Sequence, residues 1–171
     1  MKHLIWIVIL CLAAAGPASA AELGVKMGGG VVVDPSRWGG HVSFEVPLSR
    51  EFPTFIAPFF ELYRKGGVNQ MPLGATLMYK SMFSGYGGTV YFGVGGGILK
   101  VSGTITDPLT GIGASGSSTD AMITAGGGVY FYLKEPAALF VQMRWFRPFA
   151  ETSAKNELAF QAGLHFRIGE E

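Results

Sequence analysis

The chain has 171 residues, enough for one domain of ordinary size, and its 13 basic and 12 acidic residues leave a formal charge of +1. So small a net charge leaves no electrostatic footprint for nucleic acid or for strongly acidic ligands. Beyond the first twenty residues no apolar run reaches the roughly 20 residues that a spanning helix needs, so any membrane crossing falls to strands.

Residues 1–20 have the form of a secretory signal peptide. Met1, Lys2 and His3 make a short basic start, residues 4–15 an apolar run, and Ala18-Ser19-Ala20 a small-residue site, with cleavage expected before Ala21. Gly16, Pro17 and Ser19 interrupt the run too early for a transmembrane helix. The single cysteine, Cys11, lies inside this run between Leu10 and Leu12, where a lipoprotein signal would not place it. The mature domain, 21–171, is therefore expected to carry no thiol and twelve basic against twelve acidic residues.

From residue 22 the chain divides into eight segments of strand character, near 22–33, 39–48, 52–63, 71–80, 87–101, 120–133, 138–149 and 156–168. Successive side chains leave a strand on opposite sides, so a period of two sorts them into faces. In the second segment Val42, Phe44, Val46 and Leu48 oppose His41, Ser43 and Glu45. In the third, Ile56, Pro58, Phe60 and Leu62 oppose Phe59, Glu61 and Tyr63; in the fourth, Leu73, Ala75, Leu77 and Tyr79 oppose Thr76, Met78 and Lys80. The sixth sets Ile123, Ala125, Val129, Phe131 and Leu133 against Thr124, Tyr130 and Tyr132, and the seventh Leu139, Val141, Met143 and Trp145 against Gln142 and Arg144. The eighth alternates most cleanly, with Leu158, Phe160, Ala162, Leu164, Phe166 and Ile168 on one side and Glu157, Gln161, Gly163, His165 and Arg167 on the other. Glycine blurs the first and fifth segments, and Lys100 falls on the apolar side of the fifth, at its interfacial end. No segment reads as an amphipathic helix, since glycine triplets and β-branched runs stand where a helix needs alanine and leucine.

One face is thus too apolar for water and the other too charged for a packed soluble core. Apolar outside with polar inside is what a strand needs in a closed barrel that spans lipid. The expected fold is all-β, an eight-stranded antiparallel up-and-down transmembrane β-barrel. A soluble lipocalin-like periplasmic carrier has the same strand number with the faces exchanged. The charged parity here is also the one crowded by glycine, which favours its being the interior. Short connections at 49–51 and 134–137 alternate with modest ones at 34–38, 64–70 and 150–155 and with a long Gly/Ser/Thr-rich stretch at 102–119. A periplasmic N-terminus then puts the short turns inside and the long loop at the cell surface.

The glycine triplets at 28–30, 95–97 and 126–128 open no helix and belong to no Gly-x-x-x-x-Gly-Lys motif, so they are not phosphate cradles. They are expected to mark curvature and to leave room for Arg144, Tyr130 and Tyr91 in a narrow lumen. Lys26, Glu45, Glu61, Lys80, Arg144, His165 and Arg167 all share the inward parity and form the expected lumen charge network. Folding the first hairpin places Lys26 roughly opposite Glu45, and such pairing relieves the cost of a buried charge. An eight-stranded barrel has little space for an aqueous channel, so this network is expected to fill the lumen rather than conduct.

His41, Ser43 and Glu45 are the one hydrolase-like constellation, a base, a hydroxyl and a carboxylate on one face. Residues two apart on a strand stand about 6.6 Å apart along its axis, so the side chains must lean together to bond. The group loosely resembles the His-x-Ser motif of the outer-membrane lipid A deacylases, but sits in the second strand and faces the lumen. A lipid A-modifying barrel hydrolase is accordingly an alternative, and no catalytic residue is assigned. His41 and His165 are the histidines beyond the signal peptide, and with no cysteine they suggest neither a metal site nor a cofactor. Trp38, Tyr79, Phe131, Trp145 and Phe149 lie near strand ends, as an aromatic girdle requires.

Gln161-Ala-Gly163-Leu-His-Phe166-Arg-Ile168 resembles a barrel-assembly signal, in which Gln161, Gly163, Phe166 and Ile168 occupy the polar, glycine and two hydrophobic positions. Residues 140–145 are similar to the penultimate strand of the same group. On these motifs the chain resembles the small eight-stranded outer-membrane β-barrel family of OmpA and OmpX type. The resemblance implies a monomer in the outer membrane of a Gram-negative bacterium, in contact with outer-membrane lipid and lipopolysaccharide. It further implies delivery by periplasmic chaperones to the barrel-assembly machinery, and a structural or surface-exposed role without catalysis. Family members commonly end on an aromatic residue, whereas Gly169-Glu170-Glu171 follow Ile168 here.

Overall fold

A computed structural model describes residues 23–33, 36–49, 51–83, 87–106, 113–149 and 155–168. The expected signal peptide and the 169–171 tail lie outside the described residues. The strands are β1 (Leu23–Val33), β2 (Arg37–Pro47), β3 (Thr54–Lys65), β4 (Val68–Phe83), β5 (Gly88–Thr106), β6 (Gly113–Lys134), β7 (Ala137–Pro148) and β8 (Glu157–Ile168). They pair antiparallel in chain order, and β8 returns to β1 with Leu23 opposite Ile168 and Val33 opposite Leu158. Closure satisfies the backbone of both terminal strands, which an open sheet in lipid does not.

The two faces follow the expected parity. Lys26, Glu45, Glu61 and His165 point inward and are at most 3% exposed, while Phe44, Leu77, Phe92, Val94, Val141 and Leu164 are exposed on the outside. An exposed apolar shell around a polar interior is the inverse of the lipocalin arrangement. Val46 departs in degree, being buried although it shares the outward parity of Phe44. Lys100 is exposed and outward, as its place in the alternation requires.

Two connections differ from expectation. The 64–70 loop is a tight turn: β3 runs on to Lys65, Lys65 pairs with Val68, and Gly66 and Gly67 take φ of 55° and 80°. Two central residues with positive φ are what a twisted two-residue hairpin demands, and glycine meets that demand without a Cβ clash. The long 102–119 loop is largely strand. β5 and β6 continue their ladder through Val101↔Ser118, Ser102↔Ser117 and Thr104↔Ser115 with no break in register. Ser and Thr tolerate a pleated strand, and a hairpin whose residues 115–119 are all exposed has no buried face to alternate with, so the usual signal is missing there.

The glycines make room chiefly for backbone. A Cβ on Gly163 would collide with Met27 and Gly28 of β1, and one on Gly95 with Ala75 and Thr76 of β4. Side chains take the space in fewer places: at Gly128 the Tyr91 hydroxyl would stand 2.7 Å from the added carbon, and at Gly126 the Arg144 Cβ 3.6 Å. Tyr130 is not among those nearest atoms. Strong curvature brings neighbouring strands together on the concave side, where a Cβ has no room.

Candidate functional site

The lumen is filled by two carboxylates, their partners and two apolar clusters. Glu45, on β2, is fully buried. Its Oε1 lies 3.1 Å from Lys26 Nζ of β1 and accepts from the Tyr130 hydroxyl of β6. Its Oε2 accepts from Lys80 Nζ of β4, with His165 Nε2 of β8 at 3.2 Å but outside hydrogen-bond alignment. The expected Lys26–Glu45 pair forms on a diagonal, since the register sets Lys26 across from Ser43 and Glu45 across from Gly24. The long lysine side chain spans the diagonal.

Glu61, on β3, is the second centre. Its Oε1 is 3.2 Å from Arg144 Nε and 3.1 Å from His41 Nδ1, and its Oε2 accepts from the Tyr63 hydroxyl at 2.8 Å. A hydrogen-bonded chain joins the two centres. Lys26 Nζ donates to Gln142 Oε1 at 3.2 Å, Gln142 Nε2 to Gln161 Oε1, and Gln161 Nε2 to the Tyr63 hydroxyl, which donates to Glu61. Tyr91 adds a donor to Gln142 Oε1 at 2.6 Å. The lumen's lysines and arginines also lie over rings: Lys26 over Tyr91 at 4.4 Å, Lys80 over Phe55 at 3.9 Å, Arg144 over Phe59 at 3.9 Å and Arg167 over Tyr132 at 4.7 Å. Charges deprived of water thereby receive opposite charge, hydrogen bonds and aromatic faces together.

All seven charged residues expected in the lumen share its face: Lys26, Lys80, Arg144 and His165 gather on Glu45 and Glu61, and Arg167 lies over Tyr132. Toward the end where β1 begins, Ala57, Met78, Tyr91, Tyr130, Ala138 and Phe140 make one apolar cluster. Toward the other end, Val32, Phe59, Tyr63, Leu99, Met122, Phe146 and Ala159 make a second. Beyond it Arg37, Gln70 and Glu157 bond across the mouth, with Arg37 Nη1 3.4 Å from Glu157 Oε1. A cavity of about 20 Å³ lies beside Lys26, Thr76 and Arg144, space on the scale of a water molecule.

Sequence reasoning places Tyr63, Tyr91, Tyr130 and Gln142 inward but gives them no part in the network; a polar group on the inward parity is the signal that marks them. Arg37, Gln70 and Glu157 are harder to find, since Arg37 and Gln70 fall within expected loops. The four positions of the expected assembly signal follow the strand. Gln161 is buried in the lumen, Gly163 faces Gly28 of β1 and Phe140 of β7, Phe166 is half-buried opposite Val25 and Ala137, and Ile168 is exposed at the end of β8.

The hydrolase-like group is rearranged. His41 Nε2 does lie 3.2 Å from Ser43 Oγ, but the carboxylate on its Nδ1 is Glu61 rather than Glu45. Glu61 sits directly across from His41 on β3, whereas Glu45 is drawn to Lys26 and Lys80. Ser43 is 1% exposed, closed off by the same packing that fills the barrel.

No family model and no curated protein matches the chain. Solved structures do. A major outer membrane protein from Thermus thermophilus superposes with a TM-score of 0.70 at 15% identity, over 88% of this chain and 100% of that one. Neisserial surface protein A gives 0.68 at 12% identity, over 88% and 98%. The N-terminal β-barrel domain of Pseudomonas aeruginosa OprF gives 0.57 at 18% identity, over 87% and 97%. At these identities the likeness is one of fold.

Proposed function

We propose that this chain, which has the fold of the small eight-stranded outer-membrane barrels, is an integral outer-membrane protein of a Gram-negative bacterium with a structural or surface-exposed role and no catalysis. One observation carries the reading: exposed apolar side chains ring the outside while paired charges and aromatic clusters plug the inside. The exterior is suited to hydrocarbon, and an eight-stranded ring whose lumen holds these side chains leaves little room for an aqueous path. The burial of Ser43 argues against the lipid A hydrolase, since a lipid has no route to that hydroxyl. Lipid and lipopolysaccharide are the partners of the outer face. Residues 1–20 are the export signal, and Gln161, Gly163, Phe166 and Ile168 present β8 to the assembly machinery after passage on periplasmic chaperones. The assembled barrel is a monomer.

Extraction and conductance test this together. The protein should need detergent for release, migrate differently on gels before and after heating, and give no stepwise current in planar bilayers. Release by osmotic shock would sink the membrane assignment, and reproducible single-channel steps would sink the plugged lumen.

A further inference from the structure

Among the described residues, the buried side-chain polar atoms left without a hydrogen bond are Thr76 Oγ1, Arg144 Nη1 and the two ring nitrogens of His165. The His165 ring has Glu45 beside it, 3.2 Å from Nε2. The other two atoms belong to residues that line one cavity, the space of about 20 Å³ next to Lys26. Thr76 and Arg144 are each 7% exposed, so bulk water does not serve them. The cavity stands against the inner wall of β4, β5, β6 and β7, where Gly93 and Gly126 put no side chain into it. A Cβ on Gly93 would lie 2.7 Å from the Thr76 methyl carbon, so glycine there is what leaves the threonine its place.

The remaining polar groups of the wall are already engaged. Gln142 Oε1 accepts from Lys26 Nζ at 3.2 Å and from the Tyr91 hydroxyl at 2.6 Å, and its Nε2 donates to Gln161. The Thr124 hydroxyl donates to the Trp145 carbonyl at 2.9 Å. What is left over is a guanidinium N–H, which only donates, and the Thr76 hydroxyl, which can do either. A water would bring two protons of its own, and the lining side chains offer little but hydroxyl oxygens to take them. An anion brings none. Charge points the same way: Lys26, Lys80 and Arg144 converge on only two carboxylates, Glu45 and Glu61, so the cluster holds one cation more than it has anions even with both histidines neutral.

We propose that this cavity is a binding site for one small monovalent anion of the halide class, held by Arg144 Nη1 and the Thr76 hydroxyl under the charge of Lys26. Charge-assisted N–H bonds are the strong ones, and an ion here gives a partner to two donors that burial otherwise strands. It also offsets the surplus positive charge of a lumen from which water is largely excluded. The volume takes one atom-sized ligand and is too small for phosphate or a carboxylic acid. Apolar clusters pack the lumen toward both ends, so the ion is taken up as the barrel closes and the salt present during folding sets its occupancy.

The test refolds the protein in detergent in sodium chloride, sodium bromide or sodium gluconate at equal ionic strength and measures its urea midpoint in the same salt. An ion that binds only the folded barrel should favour folding by about tenfold over gluconate when present at ten times its dissociation constant, and the effect should saturate. Chloride and bromide should act alike. Thr76→Val keeps the side chain's shape and removes the donor, so it should lose the response, while Thr76→Ser keeps it. Crystals grown in bromide should show an anomalous peak in the cavity, within hydrogen-bond distance of Arg144 Nη1. Equal midpoints in chloride and gluconate overturn the site without any variant having to fold. A halide response that survives Thr76→Val overturns it too, as does a water in the cavity of the bromide crystals. All of these readouts concern the interior, so they stand or fall apart from the outer-membrane assignment.

Discussion

The ring and the hairpin that rises from it share two strands, β5 and β6, under different constraints. Between Met122 and Phe131, β6 is paired to β5 on one side and β7 on the other; from Gly113 to Asp120 its ladder runs along β5 alone. In the ring alternate residues are committed to the packed lumen and to the exposed apolar outer face. In the hairpin Ser115, Gly116, Ser117, Ser118 and Thr119 are all exposed. Where both faces of a strand are specified, substitution is felt on one of them; where neither is, the backbone ladder is what remains. The ring should therefore be intolerant and the hairpin permissive.

The largest expected contrast is at Glu45. Removing its charge leaves Lys26 and Lys80 without their shared partner, and breaking a buried pair in this way costs about 3–5 kcal/mol. Glu45→Gln should lower the denaturant midpoint of the detergent-folded barrel accordingly while leaving it non-conducting. Ser118→Ala, in the hairpin, should stay within about 0.5 kcal/mol. A Glu45→Gln protein as stable as wild type would mean that the lumen network contributes nothing to holding the ring together.

A smaller contrast uses one chemical change at two glycines. An added methyl at Gly163 meets the backbone of Met27 and Gly28 on the seam that closes the ring, and the strain should cost about 1–3 kcal/mol. At Gly116 nothing lies within 4 Å of the added carbon, and φ is not in the left-handed region. Gly116→Ala should then be neutral or stabilising by about 0.4–1 kcal/mol through the unfolded chain. Urea titrations of the two variants side by side decide it; a Gly163→Ala protein that is no weaker than Gly116→Ala would place the seam's tolerance level with the hairpin's.

The same difference explains what could be read from the sequence. Leu158 through Ile168 alternates because β8 separates an apolar outer face from the filled lumen, and that pattern yields the strand, its faces and the inward placement of His165 and Arg167. The partners of those charges are not legible. Assigning Glu61 to His41 rather than Glu45 requires the register of β2 on β3, which no periodicity carries, and the Gln142–Gln161–Tyr63 chain joins residues brought together across the barrel. The apolar residues inside, Phe59, Phe140 and Phe146, run against a simple rule of polar interiors; they occupy volume that charges alone cannot fill in a lumen this narrow. The upper hairpin reads as a loop because its Ser, Thr and Gly residues have no second medium to alternate against.

The weakest effect is expected from taking the hairpin away. Joining Val101 to Ser118 through Asn-Gly keeps the pair that the register already makes and supplies the turn residues a two-residue hairpin prefers. The excised part contributes to the ring through short contacts with β4 at Val68↔Gly103 and Asn69↔Ser102, and its removal shortens the connection whose closure costs the chain entropy. Because the lost pairs lie above the ring and the shorter connection closes at lower entropic cost, the heat-dependent gel shift should occur at nearly the wild-type temperature. A marked drop would show that β5 and β6 are one cooperative unit from end to end, and that the ring depends on strand it does not enclose.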